Sequence, residues 1–330
     1  MKISMRYCHA LTVCVAAAML PGCGGSQPPI GATAAAPQTL AIATHADRAK
    51  SWMLPEATSE DLLYVADGQT VNVYSYPGGK LEGTLKRFDR AVGTCVGKVG
   101  NVFIVNAYEG EILEYAHGGT KPMATLHTPT KDPVGCAIDL TTGDLAVGSQ
   151  GVGSAGTISI LKKARGKPTV YQSSQFYEFF FCGYDNKGNL FADGISAPGS
   201  GHFALAELLR GAATFTNIAV DQYVTFPGEV QWDGKHLAVG NQFTDIYEFA
   251  IKGHRAISVG TTRLGSNAMY VKQFWIQGQT VIAPNVYIPK GHSSRSNVLF
   301  YEYPAGEKAT QKITDGVKGA QGAVVSLAAK

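Results

Sequence analysis

The chain is 330 residues long, 45% hydrophobic and only 16% charged, with 39 glycines and a formal net charge of +3. That charge is too small, and its Lys and Arg too dispersed, for a nucleic-acid-binding surface. The Gly-rich, charge-poor balance speaks against a helical protein and for many short strands joined by turns, and a chain of this size needs no metal or disulfide to bury a core.

The first element is a targeting segment. Lys2 and Arg6 make a positive start, and Ala10 to Leu20 is an apolar run too short to span a bilayer, ended by Pro21 and Gly22. The stretch Leu20-Pro21-Gly22-Cys23 resembles the lipobox of bacterial lipoproteins. That resemblance implies removal of residues 1–22, lipidation of Cys23, and a membrane contact through the lipid alone. Gly24, in place of an Asp, leans towards the outer membrane. Residues 23–59, rich in Pro, Ala, Thr and Gly, read as a flexible tether with a reach of roughly 30–35 Å. Trp52 and Met53 are unusual in such a tether and are expected to dock on the folded body that follows.

From residue 60 one phrase recurs six times, beginning near Leu62, Asn101, Asp144, Asn189, His236 and Thr280. Each copy is a short apolar run, a polar turn, an alternating run closed by Gly, and a further extended run. The closing glycines are Gly79, Gly118, Gly166, Gly211, Gly253 and Gly306, a period of about 45 residues, which falls in the range of propeller blades. In the first copy, alternation turns Val71, Val73 and Ser75 one way and Asn72, Tyr74 and Tyr76 the other. The connectors add one strand each: Val92–Gly97, Val134–Asp139, Phe180–Asp185, Gly228–Asp233, Val271–Gln277 and Gly322–Ala328. Turns such as Asp139 to Gly143 and Asp185 to Gly188 carry hairpin chemistry. The predicted fold is all-β: a six-bladed propeller over residues 60–330, with the C-terminal strand closing the first blade and so removing an open edge.

Tyr64-Val65-Ala66-Asp67, its counterpart Phe103-Ile104-Val105-Asn106, and Val134-Gly135-Cys136-Ala137-Ile138-Asp139 followed by Gly143 resemble the six-bladed propellers of the NHL/YVTN and gluconolactonase-like group. The whole chain is similar to bacterial lipoproteins that carry such propellers. Resemblance to the gluconolactonase-like enzymes would imply a divalent ion such as Ca²⁺ held by Glu, Asn and Asp near the axis, with Glu229, Asn106, Asn241 and Asp193 as the candidates here.

The apolar run that follows each repeat start ends in a polar residue: Asp67, Asn106, Ser149, Asp193, Asn241 and Asn285. Such residues cap their own turns by accepting from N–H groups two residues on, the preferred reading, or line a ligand site at the channel mouth. The aromatic run Phe176 to Phe181 alternates, with Glu178 on the face of Phe176 and Phe180; core is the preferred role and a recognition platform the other. Tyr108, Glu109, Tyr223, Phe226 and Tyr287 lie in equivalent loops and would share that surface. Met123 and Met269 read as core filler, and the histidines (His117, His127, His202, His236, His254, His292) as exposed loop residues at non-ligand spacings. The GxGxxG at Gly151 to Gly156 leads into a strand rather than a helix and so is no dinucleotide fingerprint.

Cys95, Cys136 and Cys182 remain after export, all on connector strands. Buried thiols are the first reading, one bridge between neighbouring blades the second, and a reactive or metal site the third. The functional expectation is a monomeric, exported, non-catalytic recognition module for a small molecule, glycan or envelope protein. The alternatives are a metal-assisted lactonase-like hydrolase and an envelope scaffold.

Overall fold

The computed structural model describes residues 50–197, 201–265, 267–289 and 293–329, all within the compact unit Ala43–Lys330. The expected targeting segment, Cys23, most of the expected tether and His292 lie outside the described residues. The fold is all-β, with two short 3-10 turns, Pro55–Thr58 and Lys162–Ala164. No helix among the described residues is long and apolar enough to cross a membrane.

Strand β1 (Trp52–Met53) pairs with Thr84 and Gly83, so the folded body takes in this part of the presumed tether. The chain then repeats a four-stranded antiparallel meander. The first uses β2 (Leu62–Ala66), β3 (Gly68–Ser75) and the start of β4 (Leu81–Val96). The end of β4 begins the second, with β5 (Val102–Asn106), β6 (Glu111–Tyr115) and β7 (Pro122–His127). Next come β8 (Pro133–Ile138), β9 (Leu145–Ser149), β10 (Thr157–Leu161) and β11 (Thr169–Tyr171). The fourth has β12 (Phe176–Tyr184), β13 (Leu190–Ser196), β14 (Phe203–Leu208) and β15 (Thr216–Val220). The fifth has β16 (Val230–Trp232), β17 (Leu237–Gly240), β18 (Asp245–Lys252) and β19 (Arg255–Arg263). The sixth has β20 (Trp275–Gln277), β21 (Thr280–Tyr287), β22 (Arg295–Glu302) and β23 (Ala309–Ile313). Finally β24 (Gly322–Ser326) pairs antiparallel with β2, from Leu62–Ser326 to Ala66–Gly322.

Two details depart from the sequence reading. The fourth run of the first copy and the connector after it form one continuous strand, β4; Arg87, with a φ of 74°, redirects it without breaking it. The outer strands β15 and β19 also pair in parallel, at Ala219–Arg255 and Val220–Ala256, joining the fourth and fifth meanders into one sheet.

The second strands run through the core with neighbours on both faces, so they read as unbroken apolar stretches rather than alternating ones. All five residues of β2 are fully buried, and each large apolar side chain among them stabilises the fold by about 1.5–3 kcal/mol. The same two-sided burial explains why Val71, Asn72, Val73 and Tyr74 are all buried although they alternate. Tyr64 sends its hydroxyl across to accept the Gly118 N–H at 2.8 Å, tying the second meander to the first. In β12 the alternation fails. Register shifts after Phe176 and after Phe179 leave Phe176, Phe179, Phe180 and Phe181 all buried and only Tyr177 exposed. Phe176 stacks on Phe179 with ring centroids 4.3 Å apart.

First strands crowd one another at glycines. A Cβ on Gly93 of β4 would overlap the Val134 carbonyl of β8, one on Gly135 would strike Phe181 of β12, and one on Gly183 would strike the Val230 carbonyl of β16. Gly322 of β24 lies likewise against Val92 of β4 and the Gln273 side chain just before β20. At the first of these contacts, between β4 and β8, Cys95 and Cys136 form a disulfide, with Cα atoms 5.7 Å apart, whereas Cys182 is a buried thiol. The preferred reading of three free thiols is therefore corrected. Strands close enough for glycine-to-backbone contact bring the first two cysteines within bonding range. Met123 and Met269 are exposed rather than core filler, because they begin an outer strand and sit in a loop.

Candidate functional site

The first strands of all six meanders line the deeper structure of the molecule, and a cavity lies at each end of them. The end with the loops from fourth to first strand and from second to third strand holds a cavity of about 240 Å³. It is lined by Arg90, Asp132, Gln150, Phe180, Phe226, Gln242, Lys272 and Gln321, among others. The polar residues that end the second strands lie at this level, but most are engaged with backbone. Asn106 Oδ1 accepts from the N–H groups of Asp89 and Arg90, each at 3.0 Å. Asp67 accepts from Lys318 and Gly319, Asp193 from Phe181 at 2.9 Å, and Asn285 from Met269 at 2.8 Å and Tyr270 at 3.3 Å. In each case the partner lies within the first strand of the same meander or in the segment leading into it. Asn241 alone among them caps its own turn, accepting from Phe243 at 2.9 Å and Asp245 at 3.2 Å. Capping of backbone N–H groups is thus the observed role of five of the six, four of them with a partner other than the N–H two residues on, whereas Ser149 Oγ is buried without a partner. The reason is that the end of a second strand faces the start of the adjacent first strand.

The ion-binding set implied by the gluconolactonase-like resemblance is not assembled by these contacts. Asn106 and Asn241 serve different turns. Glu229 does lie near Asp193, whose charge adds to the upward push on the Glu229 carboxyl. Both carboxyl groups are pushed well above the usual range, first by burial. Glu229 is also held by a hydrogen bond with Gln273. Gln273 bridges two distant first-strand segments. Its Oε1 accepts from the Thr94 N–H at 2.9 Å and hydroxyl at 3.2 Å, and its Nε2 donates to the Thr94 carbonyl at 2.8 Å. That bridge passes over Gly322, where no side chain intervenes.

The rim of the smaller cavity is basic and aromatic. Arg90 lies over the Tyr108 ring at 5.1 Å and pairs with Asp132 at 3.3 Å. Lys272, beside Arg90, is held below its usual pKa by burial and then by that neighbouring charge, and donates to Gln321 at 2.8 Å. Glu109 is exposed, and Glu178 is half-buried and accepts from Gln150 at 3.4 Å. Phe226 packs edge-on to Phe180 at 5.3 Å, and Phe243 lies 5.6 Å from Tyr270. Tyr108, Tyr177, Tyr223, Phe226, Phe243 and Tyr270 are the exposed aromatics among the described residues, and all six belong to this end. Tyr287 is half-buried at the end of β21.

Sequence reasoning missed the opposite end, where first-to-second-strand hairpins surround a cavity of about 540 Å³. Trp232 and Trp275 line it, with Ile138, Leu140, Val230 and Val325, and Glu229 lies among the lining residues. The signal was present: GEVQWD and KQFWIQ place a Trp late in two connectors. Spacing also hid a cluster in which ligand atoms of Asp233, His236 and Glu248 lie within 4.8 Å of one another. Asp233 there accepts from the Lys235 and His236 N–H groups and from the Tyr303 hydroxyl at 2.7 Å, the bonding of a hairpin cap. His117 is also no bare loop residue, since it contacts Ser326 at 2.7 Å and the Glu60 carbonyl at 3.0 Å.

No known protein family and no curated protein matches the chain. Solved structures do. A chain in the crystal structure of a nidogen/laminin complex superposes with a TM-score of 0.62 at 12% identity, over 82% of this chain and 100% of that one. A Bacteroides caccae protein of unknown function gives 0.58 at 12% identity, over 81% and 99%. The antiparallel sheets, near-absence of helix and these likenesses together show a β-propeller fold.

Proposed function

We propose that the chain is an exported, monomeric, six-bladed propeller closed by β24 and anchored through lipidated Cys23. Its job is to hold a protein partner on the aromatic face, without catalysis. Support for six blades comes from six meanders whose first strands line one cavity, and support for closure from the β24–β2 ladder. The carrying observation for function is the segregation of every exposed aromatic among the described residues to one end, while the large hydrophobic side chains exposed at the opposite end are aliphatic, such as Val99, Leu140, Leu209 and Leu327. Aromatics spread over loops of several meanders, with Arg90 and Lys272 between them, suit a macromolecule better than a small ligand. One fold neighbour was itself solved within a nidogen/laminin complex.

The test is quantitative capture from envelope extracts by the full chain and by a Tyr108→Ser/Tyr223→Ser/Phe243→Ser variant, with captured proteins identified and their affinities measured. A partner lost by at least tenfold with melting unchanged supports the reading. Equal capture by both chains refutes it, as does loss of the partner on substituting Leu140 and Leu209 instead. Separately, Cys23→Ser should move the protein from the membrane fraction to the soluble one.

A further inference from the structure

We infer that the cavity at the hairpin end is a second binding site, independent of the aromatic face, and that it takes a small organic cation: an amine or quaternary ammonium on an apolar body. A volume of about 540 Å³ is that of a small-molecule pocket. The walls are apolar, with Ile138, Leu140, Val230 and Val325 beside the two tryptophans. Two polar groups there are buried and without a partner: Glu229 Oε2 and Trp232 Nε1. Glu229 is only 4% exposed and lines the cavity.

The charge balance chooses the ligand. Asp193, close to Glu229, also has a buried carboxylate oxygen, Oδ2, without a partner. Among the described residues neither carboxyl forms an ion pair. Lys98 and Asp185 stand at the rim, and Lys98 is exposed to water. A buried acid pair with no counter-charge is costly when ionised, and a cation entering between Trp232, Trp275 and Glu229 removes that cost. Indole faces attract the same cation, the more so in a desolvated pocket. An anionic ligand would meet Glu229 unfavourably, and a neutral apolar one would leave Oε2 unpartnered.

Calorimetric titration of the full chain, with tryptophan fluorescence in parallel, tests this. The probes are phenethylamine and benzyltrimethylammonium, with 2-phenylethanol as the neutral counterpart and calcium chloride as the inorganic cation. Both organic cations should bind and alter tryptophan emission. They should bind about tenfold to a hundredfold more tightly than 2-phenylethanol, as a charge-assisted contact to a buried carboxylate implies. Glu229→Gln should abolish that preference. No binding of either cation at millimolar concentration overturns the inference. So does equal affinity for the alcohol, an undiminished preference in a folded Glu229→Gln protein, or competition by calcium chloride at equal concentration. The selectivity is read on the unsubstituted chain, so it stands even if the variant fails to fold.

Discussion

Replacing both Cys95 and Cys136 by Ala removes a crosslink between two neighbouring first strands. The bridge closes a loop with a sequence separation of 41 residues. On the chain-entropy relation, a loop of that size restrains the unfolded chain by about 4 kcal/mol. Both cysteines are buried, at 4% and 3% exposure, in one core cluster with Phe103, Val105 and Val147. Two alanines therefore also leave a small void, which adds to the loss. For a body of nearly 300 residues, 4 kcal/mol corresponds to a fall in Tm of about 8 °C. Urea unfolding of the oxidised protein and the double variant, read by tryptophan fluorescence, gives the difference directly. Non-reducing peptide mapping must show residues 95 and 136 joined. Equal unfolding midpoints, or a free thiol at either position, would refute the reasoning.

Two further outcomes follow from buried polar groups. Tyr64→Phe strands the Gly118 N–H in the core; a loss of about 1–3 kcal/mol in urea unfolding is expected, and a neutral result would remove this tie between the first two meanders. Glu229 titrates in the folded protein well above its ordinary value. Between the unfolded and folded pKa the native state therefore binds more protons than the unfolded state, and stability falls as pH rises through that window. Glu229→Gln should raise Tm near pH 8 and flatten the gain on acidification, measured by thermal melts from pH 5 to 8; an unchanged slope would contradict the assignment.

The fold was legible because burial leaves its mark on composition. The runs at Leu62 and Val102, buried on both faces, read as continuous apolar stretches at a fixed period, and the closing glycines take the left-handed conformation their turns require, with φ of 75° at Gly79 and 65° at Gly118. What the pattern lacked was contact between distant segments. Nothing local distinguishes Asn241, which caps its own turn, from Asn106, which accepts from backbone N–H groups within β4. Nor does spacing show that Gln273 crosses to Thr94 because Gly322 lies between them, or that register shifts in β12 gather four phenylalanines into the core. The site at the hairpin end was missed for the same reason. Trp232, Trp275 and Glu229 lie on two different meanders, and only the convergence of first strands brings them to one cavity.

Closure of the proposed ring by β24 is tested most directly by hydrogen exchange on a chain ending at Gln321. Without β24, the amides of Leu62–Ala66 that face it lose their partners. They should exchange orders of magnitude faster than in the intact chain, with a broadened, lowered melting transition. Protection of Leu62–Ala66 identical in the two chains, with the same melting transition, would contradict the closed ring.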